Sequence, residues 1–470
     1  MKTRAGAWWV AVTAGLVLGG SGGCLGEGGP EGGEARDAGA STDDAAAPDA
    51  TAPLPDAGEA DASDAGEAPA NAPSIQDVLG CPARENYRLP EGDELHRVTL
   101  ASPGAVCNDG TPALLFVRAA TDPARADHWI FHLQGGGSCA EHDCAERWCA
   151  SSALMSSMNA PAAVDANGIF SRRADNAFAG ANHVYVAYCS SDNHAGTSGE
   201  VVIPASEDHD AFSVRFQGDA IVQAAASALE AGVTSDDGEE TLPPLAPGGT
   251  IFLTGTSAGC GGVAHQADRL SARWAALGAS TLAVCDSAFA PSLEDFETPA
   301  AREYAARLDE GNAALYEIRM RTQQLRLDES CVAAERGEPF RCSTAGHVLS
   351  EHVTDPRLFI YQDNGDSLFV TRIIEALGEE PTARRQRQVA AALEPASRAA
   401  LARAAGGADV SVYGRTCRTH VGLTQDNRFF AQSVATPDGP LTYHDALVRW
   451  EAGETVFAID GAENPSACGD

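Results

Sequence analysis

Ser257 lies in the run Gly255-Thr256-Ser257-Ala258-Gly259, where small residues surround a single reactive hydroxyl. A serine is a weak nucleophile until a neighbouring base takes its proton, and a sharp strand-to-helix turn holds such a hydroxyl clear of its own backbone. The context suits that turn, because the β-rich run 250–254 precedes the serine and a helical stretch follows it. The same G-x-S-x-G spelling occurs at Gly19-Gly20-Ser21-Gly22-Gly23, in an N-terminal leader with no preceding strand, and carries no chemistry there. The competing reading of 255–259 is a glycine-rich connection, an ordinary event in a chain with 48 glycines.

A nucleophilic serine needs an imidazole and a carboxylate to orient it, in the chain order serine, acid, histidine for this kind of turn. Residues 358–361 read as a strand, and the loop Gln362-Asp363-Asn364-Gly365-Asp366 after it offers two carboxylates. The acid belongs a few residues past the strand end, which favours Asp366 over Asp363; the bland reading of either is an exposed turn residue. Residues 410–413 read as the last strand and Cys417-Arg418-Thr419-His420 follows, so His420 is the candidate base among 12 histidines. His265 sits just after the serine turn and His444 on a C-terminal helical stretch, and neither follows that strand.

Negative charge developing on a carbonyl oxygen needs backbone N–H donors. Ala258, next to the nucleophile, supplies one, and the run Gly135-Gly136-Gly137 after the strand 129–133 supplies another unless it is merely a flexible turn. Cys139, His142, Cys144 and Cys149 also lie close together, but they lack a paired C-x2-C spacing, and an exported chain favours disulfides over zinc. No metal site and no cofactor is implied.

These side chains need a rigid frame. Apolar, β-rich runs recur at 114–118, 129–133, 184–188, 250–254, 281–284, 358–361 and 410–413, with helical patterns at 219–230, 265–276 and 368–377. Buried strands alternating with helices predict an α/β domain over residues 76–470, with a mostly parallel central sheet flanked by helices. Residues 235–249, rich in Asp, Glu, Pro and Gly, read as a surface loop, and no internal repeat is evident.

The chain has 470 residues, 32 basic against 66 acidic, and a net charge of −34, which excludes a nucleic-acid partner. No long apolar span follows the N-terminus, so an integral membrane protein is excluded too. Residues 1–23 read as a signal peptide: Lys2 and Arg4, an apolar stretch 7–18, then small residues up to Cys24. Cys24 is the expected lipidation site, although Ser21 stands where such sites usually carry leucine; plain secretion is the alternative. Either route places the protein at the cell surface, in the periplasm or outside the cell, with membrane contact only through that anchor. From Cys24 to residue 75 an acidic Ala/Gly/Pro/Asp linker follows, with twelve acidic residues against Arg36, and is expected to stay disordered. Removing Cys24 from the 13 cysteines leaves an even set, expected to form six disulfides; Cys331 and Cys342 bracket a short loop and are the easiest pair to guess.

Five segments together resemble the pectin acetylesterase family. They are His132-Leu-Gln-Gly-Gly-Gly-Ser-Cys139, Asn182-His-Val-Tyr-Val-Ala-Tyr-Cys-Ser-Ser-Asp192, Phe216-Gln-Gly218, Gly255-Thr-Ser-Ala-Gly-Cys-Gly-Gly262 and Cys417-Arg-Thr-His420. They stand in family order over nearly the whole folded region. The resemblance implies an α/β-hydrolase-like fold, stabilised by disulfides, that removes acyl groups as esters through a Ser-Asp-His triad. Position by position it makes Ser257 the nucleophile, Asp366 the orienting acid and His420 the base, with Gly136, Gly137 and Ala258 as oxyanion donors. The chain departs from the family at Gly365, where an aromatic usually precedes the acid, and at Gly137 and Ser138, where members carry aromatics. The implied partner is an acetylated carbohydrate or a small ester, met by a monomer. Pectin is a polyanion that this acidic chain repels at long range, over a Debye length of about 8 Å in physiological salt, with Arg415 and Arg418 expected to offset the repulsion near His420. Rival readings are a short-chain or aryl esterase for small molecules and a non-catalytic surface binding protein.

Overall fold

The computed structural model describes residues 72–79, 81, 89, 91–407, 409–461 and 468; the leader, Cys24 and nearly all of the acidic linker lie outside these. Ten strands build one sheet: β1 (Glu91–Thr99), β2 (Leu114–Arg118), β3 (His128–Leu133), β4 (Ala163–Val164), β5 (Asn182–Val186), β6 (Thr250–Thr256), β7 (Ser280–Asp286), β8 (Arg357–Tyr361), β9 (Val410–Gly414) and β10 (Phe457–Ile459). Their spatial order is β10-β9-β8-β7-β6-β3-β5-β2-β1-β4. Every pairing from β10 to β5 is parallel, and the β2-β1-β4 edge is antiparallel.

The apolar runs form central strands because both faces of the sheet are covered. In β6, Ile251 and Leu253 face one core while Phe252 faces the other, and all three are fully buried. The helices around the sheet include α1 (Asp143–Ser151), α2 (Gly218–Ala231), α3 (Ala258–Ala275), α4 (Pro299–Thr322), α5 (Ser367–Ala376), α6 (Ala383–Ala404) and α7 (Tyr443–Glu451). Ile221 of α2 and Val263 and Trp274 of α3 belong to the first core, while Tyr443 and Trp450 of α7 belong to the second. A third, smaller cluster joins α4, α5 and α6 through Ala301, Ile373 and Leu393.

All seven expected strands are present, shifted by a few residues at their ends, as in 184–188, which is Asn182–Val186. The helix expected over 265–276 begins earlier, at Ala258, directly after the serine. The stretch 235–249 is not all loop, since Thr241–Leu242 pairs with Val233–Thr234. Twelve cysteines form six disulfides: Cys81–Cys149, Cys107–Cys189, Cys139–Cys144, Cys260–Cys285, Cys331–Cys342 and Cys417–Cys468. Among the described residues no helix is long and apolar enough to cross a membrane.

Candidate active site

Ser257 stands between β6 and α3 with φ 54° and ψ −118°, a conformation that costs a non-glycine residue roughly 1–3 kcal/mol. Its surroundings hold it there. Its N–H donates to the Asp286 carbonyl at 2.7 Å, and the Cys260–Cys285 disulfide ties the start of α3 to β7. Both glycines of the motif are demanded by close approach. A Cβ on Gly255 would lie 2.2 Å from the Gly259 carbonyl oxygen, and one on Gly259 would lie 1.9 Å from that of Leu133.

The glycine run lies beside this turn. Gly137 has φ 70°, and it lines, together with Ser257 and Ala258, a cavity of about 120 Å³. Ala258 opens α3, so its N–H is among the donors that a helix leaves unpaired at its N-terminus. The carbonyl of Gly136 accepts a hydrogen bond from Arg147 Nη1 at 2.6 Å. A trans peptide points its N–H opposite its C=O, so this bond turns the Gly137 N–H away from Arg147. Arg147, on α1, is itself fixed by Ser191 Oγ at 2.8 Å, and the Cys139–Cys144 disulfide joins its helix to the glycine loop.

On the loop after β8, Asp366 caps α5 by accepting from Leu368 N at 2.9 Å. Its other oxygen accepts from Gln362 Nε2 at 2.9 Å and pairs with His420 Nδ1 at 2.8 Å. His420 Nε2 is buried and has no hydrogen-bond partner. Burial works against a charged His420, but the Asp366 carboxylate, and behind it Asp286, outweigh burial and raise its pKa above the ordinary imidazole value. Of the two carboxylates on this loop, the structure gives His420 to Asp366. Asp363 instead accepts two bonds from Arg415, each at 2.8 Å, and one from Tyr361 Oη at 3.0 Å, with both ion-pair partners fully buried. Arg415 is therefore not available to a substrate, contrary to the expectation from its place near His420; Arg418 is the exposed one.

The other candidates fall away from the site. His265 is buried within α3, where loss of solvent pushes its pKa down to about 4. His444 accepts a bond from the Ala177 N–H at 3.0 Å. Cys139, Cys144 and Cys149 have their sulfurs in disulfides, which leaves no thiolate for zinc. A second cluster, Cys331 with His347 and His352, likewise has its sulfur bonded to Cys342.

Residues not singled out by the sequence also shape the site. Asp286, at the end of β7, joins its two halves: its carbonyl holds Ser257 N, and its carboxylate accepts from Gly422 N at 2.9 Å and Leu423 N at 2.5 Å on the loop that carries His420. Burial pushes its pKa up to about 6. Its place at the end of a parallel strand is a signal the sequence does contain. Arg147, Arg319 and Arg372 reach the site from helices and have no such signal.

A mostly parallel sheet with serine after β6, acid after β8 and imidazole after β9 defines an α/β-hydrolase-like protein. The chain belongs to the pectinacetylesterase family, whose sequence model matches residues 93–468. It is 31% identical over 275 residues to the palmitoleoyl-protein carboxylesterase NOTUM of Drosophila melanogaster, covering 57% of this chain and 37% of that protein. It is 35% identical over 102 residues to an inactive palmitoleoyl-protein carboxylesterase, notum1b of Danio rerio, covering 21% of this chain and 71% of that protein. Against the mouse NOTUM it is 29% identical, over 42% of this chain and 34% of that protein, so the chain spans only about a third of the length of the fly and mouse relatives. A solved structure of the Wnt deacylase Notum from Drosophila superposes with a TM-score of 0.62 at 25% identity, covering 79% of this chain and 98% of that one.

Proposed function

We propose that the chain is an exported serine carboxylic ester hydrolase that releases short acyl groups, acetyl foremost, from a carbohydrate. The observation that carries this reading is the His420–Asp366 bond at 2.8 Å, which leaves Nε2 of the same ring buried without a partner. In this reading Ser257 Oγ attacks the ester carbonyl while His420 takes its proton. Asp366 holds the ring and stabilises its charged form, and the N–H groups of Gly137 and Ala258 receive the oxyanion. The alcohol leaves with the proton from His420, and water resolves the acyl-serine by the same steps. Gly136 serves chiefly through its carbonyl, which orients the Gly137 peptide.

The palmitoleoyl relatives are named for a long apolar acyl chain; a shorter one is supported here by the charged and polar side chains Arg319, Arg372 and Asn312 that stand in the cavity beside Ser257 among Leu308, Leu315 and Phe369. Six disulfides suit an oxidising compartment and support export; anchoring at Cys24 is a separate part of the proposal. Hydrolysis of p-nitrophenyl esters from acetate to octanoate by the oxidatively folded full chain, alongside Ser257→Ala, tests the reading. Acetate turnover that vanishes in the variant is expected, and turnover unchanged by it overturns the Ser257 assignment. A second reading, a binding protein that keeps the fold, is favoured by the inactive relative from Danio rerio. Folded protein inert toward every chain length would select it.

A further inference from the structure

We propose that the cavity beside Ser257 binds short acyl chains that end in a carboxylate, with Arg319 and Arg372 as the anion-binding pair. This rests on Ser257 acting as the nucleophile. Arg319 of α4 and Arg372 of α5 both line the cavity that Ser257, Gly137 and Ala258 line. Arg319 is 8% exposed, donates to Ser138 Oγ, and keeps a buried Nε with no partner. Nε of Arg372 is buried and unpartnered as well. Among the described residues neither guanidinium forms an ion pair. The carboxylate that Arg372 feels most, Asp366, is already taken by His420, Gln362 and Leu368 N.

Two like charges around one small cavity, Arg319 buried and Arg372 half-buried, are costly unless an anion lies between them. Burial accordingly pulls both guanidinium pKa values down. Guanidinium is also the group best shaped to hold a carboxylate through paired N–H donors. The side of the ester that enters is set by the proton path. The leaving alcohol takes its proton from His420 Nε2, and His420 does not line the cavity. The alcohol therefore departs on the His420 side, and the acyl chain occupies the cavity. Leu308, Leu315 and Phe369 offer its methylenes an apolar wall.

The reaction is that of an ordinary ester. The Ser257 Oγ–acyl carbon bond forms and the ester C–O bond breaks, the alcohol carrying away the proton held by His420. Water then cleaves the acyl-serine, releasing the dicarboxylic acid, which gives its new proton to solvent, and restoring the hydroxyl.

The test compares mono-4-nitrophenyl succinate with 4-nitrophenyl butyrate on the oxidatively folded full chain. A succinyl-to-butyryl ratio of kcat/KM of about tenfold or more is expected, collapsing toward one in Arg372→Gln, whose half-buried position spares the fold; a thermal melt checks that. Turnover of both esters without that preference overturns the proposal and leaves the hydrolase reading standing. An acetylated uronoside preferred over its neutral glycoside, with no acyl preference, puts the anion on the alcohol and overturns it too. Calorimetry with succinate alone is independent of turnover. Millimolar or tighter binding that Arg372→Gln abolishes supports the pair even if no ester is cleaved, in which case the nucleophile reading is what fails. Absence of binding to the native chain sinks the pair.

Discussion

Arg147 Nη1 donates to the Gly136 carbonyl oxygen at 2.6 Å, and that bond fixes the orientation of the Gly136–Gly137 peptide, whose second residue lines the cavity beside Ser257. In the proposed mechanism Arg147 would act on the reacting carbonyl through the backbone, as a positioning residue. Misplacing an oxyanion donor by about 1 Å costs up to roughly a hundredfold in rate. Arg147→Met is expected to lower kcat for p-nitrophenyl acetate by about ten- to a hundredfold with KM little changed. Arg147→Lys, which keeps a donor, recovers part of that loss. Equal losses in kcat and thermal stability, with no recovery in the lysine variant, would mean that Arg147 only holds the fold.

The two carboxylates after β8 separate by their partners. Asp366→Asn leaves the histidine held in the wrong tautomer and is expected to reduce kcat by about 10⁴ with the urea midpoint nearly intact. Asp363→Asn strands Arg415 in the interior, and breaking a buried pair of this kind costs about 3–5 kcal/mol. Urea unfolding together with initial rates on the two variants distinguishes them, and the reverse pattern would reassign the acid.

In the proposed mechanism His420 must be neutral to accept the serine proton, and its pKa is raised by Asp366 and Asp286 against burial and the positive charge of Arg372. The acid limb of kcat/KM is therefore expected to lie above the ordinary imidazole value of about 6.5. Asp286→Asn removes one of the raising charges and moves the limb to lower pH. A native limb below that value, unmoved by the substitution, would falsify the assignment of His420 as base.

Four histidines are buried without charge, with pKa values pushed down by burial to about 3 for His132 and His183 and about 4 for His194 and His265. A depressed imidazole contributes stability that is present above its unfolded pKa and lost as pH falls toward its folded one. Each loses about 2 kcal/mol by pH 5, at about 1.4 kcal/mol per unit below 6.5. Asp192 and Asp286, raised to about 6 by burial, and His420, also raised, act in the opposite sense, gaining stability as pH falls. Asp268, Asp309 and Glu375, half-buried and also raised, act in that same opposite sense but more weakly. The four fully buried imidazoles, at about 2 kcal/mol each, outweigh these groups, so the urea midpoint is expected to fall between pH 7 and pH 5, and His265→Gln to blunt the fall. A midpoint flat across that range rules the account out.

Much of the fold and of the candidate site is legible in the sequence because the parallel strands are continuous apolar runs and the candidate residues follow their C-terminal ends. Ser257, Asp366 and His420 each follow such a run. The strand β1 escapes a reading of the sequence because Glu91-Gly-Asp-Glu-Leu-His-Arg-Val-Thr99 is half exposed at the antiparallel side and shows little apolar pattern. Arg147, Arg319 and Arg372 escape it for a different reason. They project from helices, and which face of a helix meets a distant loop is decided by tertiary packing, not by local spacing. Arg415 reads as substrate-facing because loops are usually wet, whereas Asp363 and Tyr361 draw it into the interior.

Cys260 lies three residues after Ser257, and Cys285 immediately before Asp286, so one covalent bond spans the nucleophile turn and the strand end that steadies the base loop; Cys417–Cys468 closes beside His420. In the proposed exported hydrolase, a chain made in a reducing cytosol would have neither clasp fastened, and the candidate site would take its final form only in an oxidising space.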